Sequence, residues 1–416
     1  MTVPKLDTSH ILAGSPLRRP GFVHLTALAV FVALVFAVAM VLRIPLGMRP
    51  DVLNIYLTAL GVAAVISLFP LTILWFLDRR ERESAWLFVA AFLWGALLAT
   101  GLALPINSLI LGWVRGFVGT NPQLQAALGE NAALMIGAPI AGPLVEEVTK
   151  GLGVLLLFAL LRGEFDNMRD GLIYGALVGL GFTWLESSLY IARGYAEYGV
   201  APWNFQFGYR YALFGLSGHP LYTALFGAFL GLSRQVRARW LRWLLPPVGL
   251  FLAIAAHALN NGLGLLLIGI TGRPPPAASA EEIAAALTER TFVQAWLQFS
   301  LMQLVIFLPF VAIGAVALWR SGRWERRVIS EELASEAPPV VLPEEQEAIR
   351  RDGMFRTRRI ARLDRHRSTA IVRAQHELAF RKRHVRAEGG DPEADALVNS
   401  WRSELARQRE TGASHT

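Results

Sequence analysis

The sequence predicts an all-α fold: a polytopic membrane helix bundle of about eight transmembrane helices with a cytoplasmic helical C-terminal tail. Three observations predict this fold class. Of the 416 residues, 54% are hydrophobic and only 17% are charged, and a mean hydropathy of +0.41 is far from that of a soluble domain of this length. Apolar runs long enough to cross roughly 30 Å of hydrocarbon recur along the chain. The composition then changes sharply at Arg320.

Eight apolar runs predict the transmembrane helices. The first is too long for the apolar core of a signal peptide, so we interpret it as an anchor that stays in the chain. The Gly- and Pro-broken run 132–143 is a candidate re-entrant or interfacial piece. The eight runs cover residues 22–42, 53–77, 85–112, 143–161, 171–192, 211–233, 243–270 and 292–319.

Arginines on alternate loops predict the orientation. The opposite loops carry only one or two each, so the positive-inside rule predicts both termini in the cytoplasm. The expected location is the plasma (inner) membrane, which the chain crosses several times. The arginines are Arg18 and Arg19, then Arg79, Arg80 and Arg82, then Arg162 and Arg169, then Arg234, Arg237, Arg239 and Arg242.

The chain divides into a predicted cytoplasmic N-terminal segment (1–21), a transmembrane domain (22–319) and a soluble cytoplasmic helical tail (320–416). The tail holds twenty of the 40 Lys and Arg residues beside sixteen acids. Because its net charge is modest and no aromatic residues alternate with the basic ones, it predicts solvated helices and no nucleic-acid partner. Attraction to anionic lipid headgroups is compatible with it. Helical spacing predicts a helix within 344–386 and another, capped by Asp391, up to about Arg409.

Three charged residues, Glu146, Glu147 and Lys150, stand in the fourth apolar run. A charge near the centre of a membrane helix costs roughly 2.5 to 3.5 kcal/mol on insertion scales, so these must be compensated by partners, protonation or water. Lysine is otherwise rare, with only Lys5 and Lys382 elsewhere. The ammonium is three and four residues from the carboxylates and can reach either one. One glutamate is therefore expected to pair with it while the other activates water, and the spacing leaves open which does which.

Three further runs carry ionisable residues at the same predicted depth. Glu147, Glu186, His219 and His257 each lie fifteen or sixteen residues from a charged residue that marks the cytoplasmic end of the run. At 1.5 Å per residue this places all four roughly 22 to 24 Å from that edge. They therefore predict one polar layer in the outer part of the membrane.

This layer suits hydrolysis. A carboxylate acts as general base, and histidines act as metal ligands or as donors to an oxyanion. His257 and Asn261 share a helix face and could donate together, whereas Asn260 is expected to point elsewhere. Glu186, His219 and His257 match the ligand set of catalytic zinc, although the helical His-Glu-x-x-His signature is missing. The absence of cysteine excludes thiol catalysis and thiolate ligands.

These motifs resemble those of the PrsW family of membrane-embedded proteases, which is distantly similar to the CAAX-prenyl endopeptidase and bacteriocin-immunity superfamily. The resemblance covers a catalytic core at about 140–262. One position departs from the pattern, because Ser187 stands where the family usually has Asn. The matching residues are Glu146-Glu147-x-x-Lys150, Gly181-Phe182-x-x-x-Glu186, His219 and His257.

The resemblance implies an endopeptidase that cuts a membrane-tethered protein near the extracytoplasmic face. The best-known member of that family cleaves an anti-sigma factor, so regulatory proteolysis of that type is the implied role. The implied partners are a membrane-anchored protein substrate and the lipid bilayer. The motifs leave open whether a metal such as Zn²⁺ is required.

Three other functions remain to be weighed. Gly215-Leu216-Ser217-Gly218 reads as a rhomboid-type serine motif, but a serine mechanism leaves the glutamates and Lys150 without a role. A proton-coupled transporter would also place carboxylates in the membrane, close to the midplane and continuing to both sides. A non-catalytic scaffold predicts that Glu147 can be replaced without loss. The intramembrane aspartyl type is excluded, because Phe182 stands where its motif needs Asp.

Overall fold

The computed structural model describes residues 15–80, 84–129, 131–161, 164–271, 279–350, 358–360 and 363–410. Within these residues the regular secondary structure is helical, which confirms the predicted all-α fold. Most of the predicted N-terminal segment lies outside the described residues, as do Arg82 and Arg162, so the structure does not test those parts of the prediction.

Among its described residues, the membrane part comprises fifteen α-helices and one π-helical segment, Trp94–Ala99, which joins α3 to α4. The helices are α1 Pro20–Leu46, α2 Pro50–Leu77, α3 Ala85–Leu93, α4 Thr100–Gly119, α5 Pro122–Leu128, α6 Ala132–Leu160, α7 Met168–Tyr198, α8 Trp203–Arg210, α9 Ala212–Gly215, α10 His219–Gln235, α11 Arg239–Asn261, α12 Leu263–Thr271, α13 Ala280–Thr288, α14 Phe292–Ile306 and α15 Leu308–Leu333.

Five helical stretches among the described residues are long and apolar enough to cross a membrane, and the α14–α15 pair, bent by 83°, is a sixth candidate. The other two predicted spans lie on α6 and α10. Helix α6 carries the charged motif, and α10 has only 17 residues. The five are Pro20–Leu46, Pro50–Leu77, Ala85–Gly119, Met168–Tyr198 and Arg239–Asn261.

Some predicted spans have different boundaries in the structure. The run 132–143 is not a separate piece but the first part of α6, which continues through Pro139 and Pro143; a membrane helix tolerates proline where neighbours satisfy the freed backbone groups. The run 292–319 is broken after Phe307, where Pro309 near the start of α15 has no backbone N–H.

The run 211–233 is also not one helix, because the chain is irregular from Tyr211 to Gly218 before α10 begins. Gly215 and Gly218 have φ values of 73° and 65°, which suit glycine. Leu213 and Phe214 share this left-handed conformation at a cost that surrounding contacts must offset.

Helix α14 supplies those contacts. Ser300 Oγ accepts from the N–H of Leu213 at 3.0 Å. Trp296 donates to the carbonyl of Tyr211 at 3.0 Å, and Gln303 donates to that of Tyr209 at 2.9 Å. Irregular backbone at membrane depth is therefore satisfied by protein side chains, as it must be where water is scarce.

Helix α7 lies at the centre of the bundle, and 83% of its most apolar 18-residue stretch is buried inside the protein. It meets α10 along a row of glycines at every fourth position, where the two backbones touch. An added Cβ at Gly171, Gly175 or Gly179 would lie 1.9 to 2.4 Å from a carbonyl oxygen of α10. Close backbone approach through small residues is a common way for membrane helices to associate. This contact sets the register between Glu186 on α7 and His219 on α10.

The tail packs around its own apolar cluster, which includes Leu333, Ile371, Leu378, Val398 and Leu405. Helix α15 runs into it without a break, and the predicted second helix begins later than expected, because Asp391 caps a short 3₁₀ turn ahead of α18. The tail helices are α16 Pro343–Arg350, α17 Arg365–Ala387 and α18 Ala396–Glu410.

Polar contacts join the tail to the membrane part. Glu325 on α15 pairs with Arg80 at 3.3 Å and with Arg169, at the start of α7, at 2.8 Å. His376 on α17 donates to the carbonyl of Arg80 at 3.2 Å. Burial beside the charges of Arg358 and Arg80 lowers the pKa of His376 to about 3, so this contact uses a neutral imidazole.

The glycine contact between α7 and α10 is tested by Gly227→Ala. The new Cβ would lie 1.9 Å from the carbonyl oxygen of Gly171, so the helices must separate, and overpacking of this kind costs about 1 to 3 kcal/mol. We expect a lower thermal unfolding midpoint in detergent, measured by circular dichroism. Gly61→Ala is the control, because its Cβ meets nothing within 4 Å. Equal midpoints for the two variants would contradict this interpretation.

Candidate active site

Lys150 on α6 is fully buried and its ammonium lies at the centre of a polar network. Nζ donates to Glu147 Oε1 at 2.9 Å, to Glu146 Oε2 at 3.3 Å and to His219 Nδ1 at 2.8 Å. It also lies 3.8 Å from the centre of the Phe182 ring, a favourable place for a cation. The ammonium was predicted to reach either carboxylate, and in the structure it contacts both at once.

Glu147 is enclosed on every side. Its Oε1 accepts from Lys150 and from His257 Nδ1 at 3.0 Å, and its Oε2 accepts from Thr223 at 2.9 Å. Its side chain has no exposed surface. Because both oxygens of this carboxylate are already hydrogen-bonded and buried, Glu147 orients its neighbours and is poorly placed to contact a substrate.

Glu146, by contrast, faces a cavity. Its Oε1 accepts from Asn107 Nδ2 on α4 at 3.1 Å, and its Oε2 accepts from Lys150. The Asn107 carbonyl oxygen takes no hydrogen bond from any described residue although it is buried. Of the two adjacent glutamates, Glu146 is the one that can meet a molecule in the cavity.

His257 is oriented by Glu147. Because a carboxylate only accepts, the 3.0 Å contact requires a proton on Nδ1, and the neutral ring then carries a lone pair on Nε2. That atom lies 4.0 Å from Glu146 Oε2 beside the cavity. The ring of Tyr222 stacks on the imidazole at 5.1 Å. A carboxylate behind a histidine is the usual way to fix its tautomer for metal binding or base catalysis.

His219 begins α10 and connects two carboxylates. Since Lys150 donates to its Nδ1, its proton lies on Nε2, which donates to Glu186 Oε2 at 2.7 Å. The same oxygen accepts from Arg210 Nη1 on α8 at 2.5 Å. Arg210 lies over the Tyr190 ring at 4.5 Å, so Tyr190 contacts this group through its ring.

These side chains line a cavity of about 180 Å³, which is large enough for several water molecules. Asn261 lies at its wall and donates to the carbonyl of Ala138 at 3.2 Å. Asn260 was expected to point elsewhere but lines the same cavity, donating to Asn261 at 3.1 Å and accepting from Tyr209 at 2.6 Å. The two meet because α11 ends at Asn261, where the helical arrangement no longer separates them.

The structure therefore brings the seven sequence-predicted residues to one place. Six form a continuous hydrogen-bonded network, and Asn261 lies at the cavity wall. They are Glu146, Glu147, Lys150, Glu186, His219, His257 and Asn261.

Several neighbours of these residues were missed by sequence reasoning. Arg210 and Asn107 lie outside the charged motifs, and Thr223 follows His219 by one helical turn. Gln303 is 3% exposed and lines the cavity, with an Oε1 that takes no hydrogen bond from the described residues. Arg210 directly precedes the predicted run 211–233, and a charge at that position was a usable signal; the amides gave none.

The donors fit a metal ion. Glu146, His219 and His257 each offer one ligand atom within 4.8 Å of the others. Two ligands that share a zinc ion at about 2.1 Å lie at most about 4.2 Å apart, so the three groups must close slightly, and one His219 nitrogen must leave its hydrogen bond to Lys150 or Glu186. The sequence interpretation named Glu186 instead of Glu146; Glu186 Oε2 accepts from Arg210 and His219 here, and its role as a ligand stays a prediction. Two histidines with one glutamate are a known catalytic zinc set.

The serine interpretation has no geometric support. Ser217 Oγ donates to the carbonyl of Ala212 at 2.7 Å and is buried. The side chain is therefore committed to the irregular turn ahead of α10.

Comparison with known proteins matches the part of the chain that carries these residues. The family model described as PrsW family intramembrane metalloprotease matches residues 83–275, a range that contains all seven predicted residues. The protein named Protease PrsW of Geobacillus kaustophilus is 30% identical over 195 residues, covering 46% of this chain and 74% of that relative. The chain belongs to the PrsW family. Membership places it among the peptidases.

Two further PrsW relatives match shorter stretches. The Protease PrsW of Halalkalibacterium halodurans is 29% identical over 113 residues, or 27% of this chain and 47% of the relative, so the match spans about half of that protein. The Protease PrsW of Oceanobacillus iheyensis is 27% identical over 177 residues, 42% of this chain and 67% of the relative. No solved structure matches the chain.

The central position of Lys150 is tested by Lys150→Met. Removing one partner from a buried charge cluster leaves the others uncompensated, at a cost of about 3 to 5 kcal/mol. We expect a large fall in the thermal unfolding midpoint in detergent, and partial recovery when Glu147→Gln is added. The exposed Arg320→Met is the control. A single variant that melts like the wild type would show that the ammonium does not hold the site together.

Proposed function

We propose that this PrsW-family chain is a membrane-embedded endopeptidase that hydrolyses a peptide bond of a membrane-tethered protein near the extracytoplasmic face. The observation that carries the proposal is the pair Glu146 and His257, whose open atoms face each other across 4.0 Å at the wall of a cavity. Regulatory cleavage of an anti-sigma-type protein, the role implied by the resemblance, is the biological setting we propose.

The attacking water binds between these two residues. A water at about 2.8 Å from Glu146 Oε2 and from His257 Nε2 fits the 4.0 Å gap. Glu146 takes its proton as general base, while Lys150 and Asn107 hold the carboxylate in place. Glu147 contributes by fixing the tautomer of His257.

The metal that the family description implies would be held by Glu146, His219 and His257. When bound, it would polarise the scissile carbonyl and make its water more acidic. With Glu146 so engaged, Glu186, the other carboxylate of the cavity wall, would be the group left to accept a proton. Arg210 holds Glu186 in both arrangements.

The substrate backbone binds to side-chain amide oxygens that have no hydrogen-bond donor among the described residues. The Oε1 of Gln303 and the Oδ1 of Asn107 are buried acceptors without a donor among the described residues, and both side chains line the cavity. Backbone N–H groups of an extended peptide would satisfy them, which removes the cost of an unmade hydrogen bond. Asn260 and Asn261 offer amide groups at the same wall for the carbonyl side.

A transporter fits less well. Toward the tail, α6, α7 and α10 continue in an apolar cluster that includes Val154, Leu177, Leu225 and Leu230. An ion path would need polar groups that continue through both sides of the site, whereas here the apolar cluster separates the site from the buried ion pairs of Glu325, Arg80 and Arg169 at the tail side. With the arginine-rich ends in the cytoplasm of a plasma-membrane protein, the side that carries the site is extracytoplasmic.

Replacing the water-binding pair tests the proposal. Glu146→Gln and His257→Ala should each reduce cleavage at least about a hundredfold, the usual contribution of a general base. The measurement is release of an extracytoplasmic tag from single-span reporter proteins reconstituted with the purified protein in vesicles. Glu281→Gln, an exposed acid of α13 away from the cavity, is the control. Reporter cleavage at the wild-type rate by both variants would refute the proposal.

Metal content tests the ligand assignment separately. Elemental analysis of the purified protein should find about one transition-metal ion per chain, lost in Glu146→Gln and His257→Ala but retained in Glu281→Gln. A chelator should abolish cleavage, and zinc should restore it. Full activity in metal-free protein would instead assign the water to Glu146 and His257 alone.

A further inference from the structure

A second cleft, of about 960 Å³, lies at the opposite end of the membrane helices from the candidate site. It is bounded by the ends of α6, α10 and α11 on one side and by helix α17 of the tail on the other. Its inner wall is apolar and is formed by Leu155, Phe158, Leu230, Trp243, Pro246 and Pro247. The preceding proposal gives this cleft no role.

The rim of the cleft is basic. Arg234, Arg239, Arg242 and Arg383 line it. Arg234 is committed to the backbone, donating to the carbonyls of Phe165 and Phe158. The two acids on the rim are engaged as well: Asp166 accepts from Asn167, and Glu388 lies 3.3 Å from His384.

The other three rim arginines have no carboxylate at ion-pair distance among the described residues. Arg242 donates only to the carbonyl of Val236, at 2.8 Å. Several tail arginines elsewhere are used in ion pairs, such as Arg386 with Glu332, Arg402 with Glu336 and Arg409 with Glu345, whereas Arg365 is simply exposed to solvent. The three rim arginines differ from such solvated ones because they converge on a single cleft with an apolar wall, where they can bind one anion together.

The cleft lies at a membrane–water boundary. Helix α11 begins at Arg239 and immediately exposes Trp240 and Trp243, with 66% and 77% of their surface accessible. Tryptophan is enriched at this level of a bilayer, and basic pockets between membrane helices bind lipid headgroups. An inorganic phosphate or an acidic peptide would satisfy the rim but leave the apolar wall uncovered.

We propose that this cleft binds an anionic phospholipid, with its phosphate between Arg239, Arg242 and Arg383 and its acyl chains along the apolar wall. The bound lipid connects α17 to α10 and α11, the helices that carry His219 and His257. The inference is independent of the peptidase activity, since it uses none of the residues of the candidate site.

Lipid retention by the full chain tests the proposal. Protein purified and delipidated in a neutral detergent is titrated with phosphatidylglycerol or with phosphatidylcholine of the same acyl chains, and bound lipid is counted by native mass spectrometry. The test variant combines Arg239→Gln, Arg242→Gln and Arg383→Gln. The control variant removes the same charge from exposed arginines off the cleft, with Arg237→Gln, Arg320→Gln and Arg365→Gln.

We expect one tightly held phosphatidylglycerol, not displaced by inorganic phosphate, and a loss of affinity of at least about tenfold in the test variant only. Each basic side chain at an anionic membrane surface contributes roughly fivefold in affinity. Circular dichroism checks folding, and Arg383→Gln alone gives a milder version if the triple variant unfolds. Equal retention of phosphatidylcholine, displacement by phosphate, or an equal loss in the control variant would overturn the proposal.

Discussion

The burial of the Lys150 ammonium is the constraint on which the site depends. In an apolar bundle a cation must be surrounded by acceptors, and this one gathers Glu146, Glu147 and His219 from two helices. Counting Glu186 and its partner Arg210, the network holds three carboxylates against two cations. One negative charge is left when both histidines are neutral. Arg193 lies outside this network but lines the cavity and can offset that charge, as would a cation held by Glu146, His219 and His257.

The row of glycines on α7 fixes the helix positions that this charge network requires. Hydrogen bonds of 2.7 to 3.0 Å between different helices require that the backbones be fixed to within a fraction of an ångström. Direct backbone contact at Gly171, Gly175 and Gly179 provides that precision, because it leaves no flexible side chain between the helices. Packing and electrostatics thus specify the same arrangement.

Sequence reasoning succeeded where helical geometry is regular. The rise per residue is fixed, so counting from the charged ends placed Glu147, Glu186, His219 and His257 at one level before any coordinates. The choice between the adjacent glutamates could not be made that way, because both are within reach of Lys150. It depends on α4 and α10, which bring Asn107 to one carboxylate and Thr223 to the other.

The remaining gaps lie where the chain is irregular. Arg210 ends α8 just before the break at 211–218, where no periodicity predicts the direction of a side chain. The hydrogen bonds that stabilise this break come from α14, 85 to 94 residues away along the chain. Contacts between distant segments of this kind leave no mark on the local sequence.

Helix α15 connects the tail mechanically to the wall of the cavity. The helix runs unbroken for 26 residues from the bend at Phe307 into the tail, a rigid rod of roughly 39 Å. A tilt of about 10° at its outer end corresponds to a displacement of about 7 Å over that length. Because Gln303 stands one turn before the bend and lines the cavity, a partner that displaces the tail in the cell would also displace this part of the cavity wall.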